Sequence, residues 1–312
     1  MSLIALLAAQ HSGGAPPAPD DPRPAPLDDV IAALRPTGRL IWAATVAQDG
    51  TGDYDDLHEA EDAAWAAWRA QLAAEGLRED QATPNYRTQI IVKPGVYETV
   101  NLKMPLWGEL IRYGQDQVTI TMPTDEPRLA QYAVNIQSRF YCEGVTILKP
   151  PGVGRYAVHN ASGGTTIWAD VGMYWETPQP WPHVNGRPSG LDGGNGLTVC
   201  WYRCATNGLT NSHGWDTNTI PATHLFIHHE GGTVGYRSGN GGSGLTADET
   251  WVVGGNVHQV SVSGPNAILH LDPSTAAANP LSVGAGVTVD DRTDWPIPWG
   301  GMSAADRAAF GM

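Results

Sequence analysis

The sequence predicts an all-β chain, and within that class a parallel β-helix led by a helix and flanked by extended terminal arms. Three observations lead there. Gly 37 and Pro 24 in 312 residues are too many for a helical protein and point to short strands joined by turns. From Thr88 onward, apolar β segments recur between clusters of Gly, Asn, Asp and Pro. Two phrases nearly repeat, Tyr132-Ala-Val-Asn-Ile136 and Tyr156-Ala-Val-His-Asn160, each followed shortly by a second strand. A period of roughly 22–25 residues with several strands per unit marks a solenoid, whose coils stack at about 4.8 Å with Val, Ile, Leu and Cys ladders inside. Eight or nine such coils make a rod of roughly 40 Å. An immunoglobulin-type sandwich is the rival, but a long amphipathic helix feeding into the strands argues against it.

Taken in order, Met1 to Gln10 is an apolar decamer without the basic n-region or small-x-small site of a signal sequence, so synthesis in the cytoplasm is expected. Gly13 to Pro26 reads as a semi-rigid polyproline linker, and Asp28 to Arg35 as a short helical pattern stopped by Pro36. Leu40 to Val46 reads as a strand. Glu59 to Leu77, with Trp65, Trp68 and Leu72 on one stripe, is the long helix, placed to cover the open end of the first coil. Strands follow at 89–92, 118–121, 132–136, 144–148, 156–159, 165–171, 197–202, 224–228, 250–253, 257–262 and 267–271. Residues 177–194, rich in Pro, Gly and Asn, read as an inserted loop. The expected organisation is an anchor and linker over residues 1–40, a β-helix over 41–290 and a Trp/Pro-rich docking tail over 291–312 that ends in a short capped helix.

Composition excludes several classes. Charged residues are 16% and hydrophobic ones 41%, so the chain is neither a disordered polyampholyte nor, with no run of about 20 apolar residues, one that spans a bilayer as a helix. The net charge of −14 comes without a basic cluster, which argues against nucleic acid. Cys142, Cys200 and Cys204 are too few for a disulfide scaffold. Cys200 and Cys204, four apart in an expected strand, should share a face and fill core as reduced thiols.

Two phrases carry a resemblance. Val46-Ala-Gln-Asp-Gly-Thr-Gly-Asp-Tyr54 and, after the helix, Lys93-Pro-Gly-Val-Tyr-Glu98 resemble the opening motifs of the pectin methylesterases, V-A-x-D-G-[ST]-G-[DN]-[FY] and K-x-G-x-Y-x-E, with Glu98 one place early. Over residues 46 to 121, about a quarter of the chain, the resemblance implies a right-handed parallel β-helix of pectin lyase type with an N-terminal capping helix. The family's catalytic aspartates and arginine lie in Q-A-x-A-[LF], Q-D-T-L, D-F-[IV]-F-G and L-G-R-P-W phrases, and none is present; Gly186-Arg-Pro-Ser189 echoes one triplet alone. Ester hydrolysis needs nucleophile, proton donor and oxyanion donors together, so the resemblance carries the fold and not the activity, and no catalytic residue is assigned.

Other residues invite a function. His213, His224, His228 and His229 form a histidine-rich stretch, in which His224 and His228 point the same way if the strand is regular. Polar ladder positions are the preferred explanation over a metal site, and no metal or cofactor is expected. Asp170, Glu176, Asp192, Asp216, Glu230, Asp248 and Glu249, with Arg203 and Arg237, are enough for a glycosidase pair or for surface ion pairs. Twelve tryptophans against three phenylalanines suggest stacking surfaces. Trp168, Trp175, Trp181, Trp201 and Trp215 lie in or near the inserted loop and are the candidates for glycan contact. Leu3, Ile4, Leu6 and Leu7 at one end and Trp295, Trp299 and Phe310 at the other are candidates for docking to a partner.

A β-helix without the family's catalytic set, with an apolar N-terminal peptide and a Trp/Pro tail, also resembles bacteriophage tail and appendage proteins. That resemblance implies a minor tail or other virion protein made in the host cytoplasm, docked to other virion proteins and facing a host-envelope glycan. A homo-oligomer, such as a trimer, is expected. The alternative is a secreted carbohydrate-active enzyme, a divergent esterase, lyase or glycanase.

Overall fold

A computed structural model describes residues 35–124, 132–136, 139–151, 156–160, 165–175, 184–186, 198–214, 223–238, 249–263, 267–271, 275–277 and 281–290. The expected anchor, linker and docking residues Leu3, Ile4, Leu6, Leu7, Trp295, Trp299 and Phe310 lie outside them, as do Trp181 and Trp215.

The described chain is mostly β, and all its strand pairs are parallel, running in three ladders. The first ladder takes β1 (Leu40–Val46), β2 (Arg87–Val92), β4 (Gly108–Arg112), β7 (Phe140–Glu143), β10 (Thr165–Ala169), β13 (Thr198–Tyr202), β16 (Thr223–Glu230), β18 (Glu249–Val257), β20 (Ile268–Leu271) and β23 (Thr288–Asp290) in that spatial order. The second takes β3 (Gly95–Glu98), β5 (Val118–Thr121), β8 (Thr146–Lys149), β11 (Gly172–Trp175) and β14 (Ala205–Thr206), and β21 (Ala276–Ala277) pairs with the end of β18. β16 and β18 are long enough to belong to both ladders, which joins them into a 16-stranded sheet. The third comes as two sheets, one of β6 (Tyr132–Ile136), β9 (Tyr156–Asn160) and β12 (Val184–Gly186) and one of β15 (Leu209–Gly214), β17 (Thr233–Ser238), β19 (Gln259–Val262) and β22 (Ser282–Val283), with β12 and β15 in contact. Each strand thus lies beside its counterpart from the next repeat, as β7, β8 and β9 lie beside β10, β11 and β12. The near-repeat seen in the sequence is one of these pairings, with Tyr132 opposite Tyr156 and Val134 opposite Val158. One apolar cluster draws on all three ladders, for instance Trp168, Ile147 and Val158. This architecture is compatible with a β-helix.

The turn between the first and second ladders is built the same way in successive repeats. Gly144, Asp170, Arg203, His228 and Gly254 follow equivalent strand positions, and all have left-handed backbone, with φ of 73°, 54°, 53°, 51° and 63°. The column explains three departures from expectation. The strand expected from Gly144 begins at Thr146, the strand expected through Val171 stops at Ala169, and Cys200 and Cys204 face opposite sides. Arg203 turns the chain between them, so the alternation that would put residues four apart on one face is lost. The expected inserted loop also carries a strand, β12.

The single α-helix among the described residues, α1 (Leu57–Ala74), packs on β1 and β2 at one end of the sheet. It starts and stops earlier than expected over 59–77. Asp56 caps it, its carboxylate accepting from the His58 and Glu59 backbone N–H groups, and the last turn closes onto Glu75. Leu57, Ala60, Ala64, Trp68 and Leu72 form its buried stripe, which includes two residues of the expected one.

The phrases Val46–Tyr54 and Lys93–Glu98 face each other. The Lys93 ammonium donates to the Thr51 carbonyl and hydroxyl, the Gln48 amide donates to the Val96 carbonyl, and the Tyr97 hydroxyl donates to the Lys93 carbonyl. Asp53 accepts from the Thr45 N–H, and a Cβ on Gly52 would lie 2.6 Å from the Ala47 nitrogen. These residues fasten β1 to β3, which accounts for their pattern without any catalytic role.

Candidate functional site

Side chains alternate across the first ladder, and from β4 to β18 both faces are buried. On the core face, Leu110, Cys142, Trp168, Trp201, Phe226 and Val252 stand in one register column. Trp168 and Trp201 stack with ring centroids 5.1 Å apart, and Phe140 meets Trp168 edge-on at 5.4 Å. Their exposures of 0% and 1% correct the expectation that they bind glycan, since a sugar has no access to either indole face. Trp175 ends β11, opposite Lys149 in the register.

Among the described residues the histidine stretch does not converge on one point. His224 stands on the core face, His228 turns out at the corner beside Tyr202, and His229 packs edge-on against Phe226 at 5.8 Å. The side chain of His213 lies outside the described residues. Burial lowers the pKa of His224 and of His229 to about 3, so both imidazoles are neutral. Among the described residues no three His, Cys, Asp or Glu side chains gather as a metal group. Burial likewise raises all three thiols, that of Cys200 to about 12, leaving them inert as nucleophiles.

The candidate carboxylates separate into corner and ladder groups. Asp170 and Arg203, adjacent in the corner column, form an ion pair at 2.9 Å. Glu230 is exposed at the end of β16. Glu176, Asp192, Asp216, Asp248 and the side chain of Arg237 lie outside the described residues.

Glu249 belongs to an arrangement that the sequence does not announce. Trp251, His270 and Asp290 occupy one register row across β18, β20 and β23. The His270 ring lies on the Trp251 indole at 3.7 Å, 19° from parallel. Its Nδ1 is 3.2 Å from an Asp290 oxygen and its Nε2 3.7 Å from a Glu249 oxygen, while the Trp251 N–H donates to that same Glu249 oxygen at 3.2 Å. The nearby His270 ring, seconded by the Trp251 hydrogen bond, lowers the Glu249 pKa. The group is an imidazole held between two carboxylates. Trp251, His270 and Asp290 are about twenty positions apart in sequence, and only the repeat period could have aligned them.

No known family's profile matches the chain, and neither a curated protein nor a solved structure matches it. The likeness to pectin methylesterases rests on its two motifs.

Proposed function

We propose that the chain is a structural protein of a bacteriophage particle, a minor tail or appendage component that presents a β-helix to the host surface. In this reading the three ladders close around the shared core into a right-handed, pectin lyase-like solenoid, as the motif resemblance implies. The observation that carries it is the core column from Leu110 to Val252, continuous over six strands and filled by stacked aromatics. Such a column makes a stiff spacer, and its large side chains are spent on packing. Other virion proteins are the docking partners, host-envelope glycan the outer contact, and a homo-oligomer, such as a trimer, the assembled form. Immunogold labelling of intact particles with antibody to this chain tests the reading. Gold on the tail or its appendages is expected, and antigen found free in the lysate with bare particles would overturn it.

The His270 group favours a second reading, a secreted carbohydrate-active enzyme, because an imidazole between carboxylates suits proton transfer at a glycosidic or ester bond. His270→Ala and Asp290→Asn test it on a polysaccharide panel. Turnover that both substitutions abolish would support an enzyme, and turnover that is absent or unaffected would dismiss it.

A further inference from the structure

The bend that carries the chain from the second ladder into the third is an asparagine–glycine pair. Thr206 ends β14, Asn207 and Gly208 make the bend, and Leu209 begins β15. Asn207 is exposed, while Thr206 behind it is buried. Such a pair is chemically labile, because glycine has no Cβ to keep its backbone nitrogen away from the asparagine side-chain carbonyl. The other Asn–Gly pair among the described residues, Asn185–Gly186, lies inside β12 opposite His159 and Asn160, where the ladder holds the chain extended. At Asp49–Gly50 the carboxylate accepts from the Thr51 N–H and hydroxyl, and those bonds keep it ionised and a poor target for a nitrogen nucleophile.

The next repeat gives the bend its importance. Its counterpart there is Gly231–Gly232, and the two bends stack main chain on main chain. The Thr233 N–H donates to the Gly208 carbonyl at 2.7 Å, and a Cβ on Gly232 would lie 2.3 Å from that same oxygen. Thr233 then faces Leu209 as the first rung between β17 and β15.

We propose that Asn207 is a deamidation site, paced by Thr206, whose product uncouples β15 from β17. The Gly208 nitrogen attacks the Asn207 Cγ. The new N–Cγ bond forms as the Cγ–Nδ2 bond breaks, and Nδ2 leaves as ammonia with the proton that Gly208 gives up. Water then opens the cyclic imide. Opening at Cγ leaves an aspartate, and opening at the backbone carbonyl leaves an isoaspartate, whose main chain runs through Cβ and Cγ and is longer by one methylene. Thr206 sets the pace because its hydroxyl accepts from the Gly208 N–H at 3.2 Å and holds the nitrogen that must react. Isoaspartate displaces the Gly208 carbonyl, and the glycine bend packed against it has no room to follow.

The unaltered chain, Thr206→Val and Asn207→Gln are held in warm, mildly alkaline buffer and followed by peptide mass mapping, which reads Asn207 apart from Asn185, Asn195 and Asn240. Asn207 should convert in the unaltered chain and several-fold faster in Thr206→Val, which keeps the side-chain shape without the acceptor. The converted chain should exchange the Thr233 amide roughly tenfold faster than the fresh chain. Asn207→Gln should keep slow exchange throughout. Three results would overturn the proposal. Asn207 stays intact in both the unaltered chain and Thr206→Val, Thr206→Val converts no faster than the unaltered chain, or the Thr233 amide exchanges at one rate before and after conversion.

Discussion

Trp168 lies nearly flat on Trp201, 17° from parallel, because the two residues occupy the same register position on neighbouring strands of a parallel ladder. Parallel in-register pairing makes each core side chain the neighbour of its own counterpart in the next repeat. Stacked rings then recur at nearly the strand spacing, and the column continues to Phe226 at 6.5 Å.

Removing one ring of this column leaves a cavity that rigid strands above and below cannot close. Trp201→Ala should therefore cost about 3–5 kcal/mol in chemical denaturation, and Trp201→Phe clearly less. Neither change should alter the affinity for any glycan measured on the folded protein.

Acid should loosen the fold through His224 and His229. Their folded pKa of about 3 lies below the ordinary histidine value of about 6.5, so protons bind the unfolded chain first. Stability is full above pH 6.5 and falls as the pH drops toward 3, by up to about 1.4 kcal/mol per pH unit for each ring. His229→Leu, which keeps the packing against Phe226, should halve the loss between pH 6 and 5 in denaturant titrations.

The corner column makes an unusual prediction about glycine. His228 adopts φ of 51°, where a side chain costs roughly 1–2 kcal/mol, while Gly144 and Gly254 hold equivalent corners at no such cost. His228→Gly should be neutral or raise the melting temperature by a few degrees. His228→Val should lower it, since a β-branched residue is worst in that conformation.

A clamp joins α1 to the segment after β3. Glu61 accepts from the Lys103 N–H at 3.0 Å and pairs with His58 Nδ1 at 2.9 Å, while His58 Nε2 accepts from the Val100 N–H at 3.0 Å. The hydrogen bond to Glu61 raises the His58 pKa, but the Val100 donor needs Nε2 bare, so the ring rests neutral with its proton on Nδ1. Glu61→Ala strands the Lys103 N–H and should cost about 1–3 kcal/mol, visible as faster amide exchange at Val100 and Lys103.

Much of the architecture was legible in the sequence, and the parts that were not share a cause. Leu40–Val46, Val118–Thr121 and Tyr132–Ile136 fall where expected because turns bound them clearly. Gly95–Glu98, Phe140–Glu143 and Thr233–Ser238 were missed because they are short and carry polar or glycine residues. The face of a given residue was harder still. From β4 to β18 both sides of the first ladder are buried, so hydrophobicity does not alternate there, and nothing in the sequence says that Trp168 points into the core while Ile167 points out. The left-handed corners then reset the alternation, which is why Cys200 and Cys204 part company. The His270 group stayed invisible because the repeat period, not local spacing, brings its members together.

The most direct test of the structural role is quantitative mass spectrometry of gradient-purified particles, with copy number measured against the major capsid protein. A fixed low stoichiometry across preparations is the predicted result. Absence from the particles, with the chain found free in the medium, would contradict it.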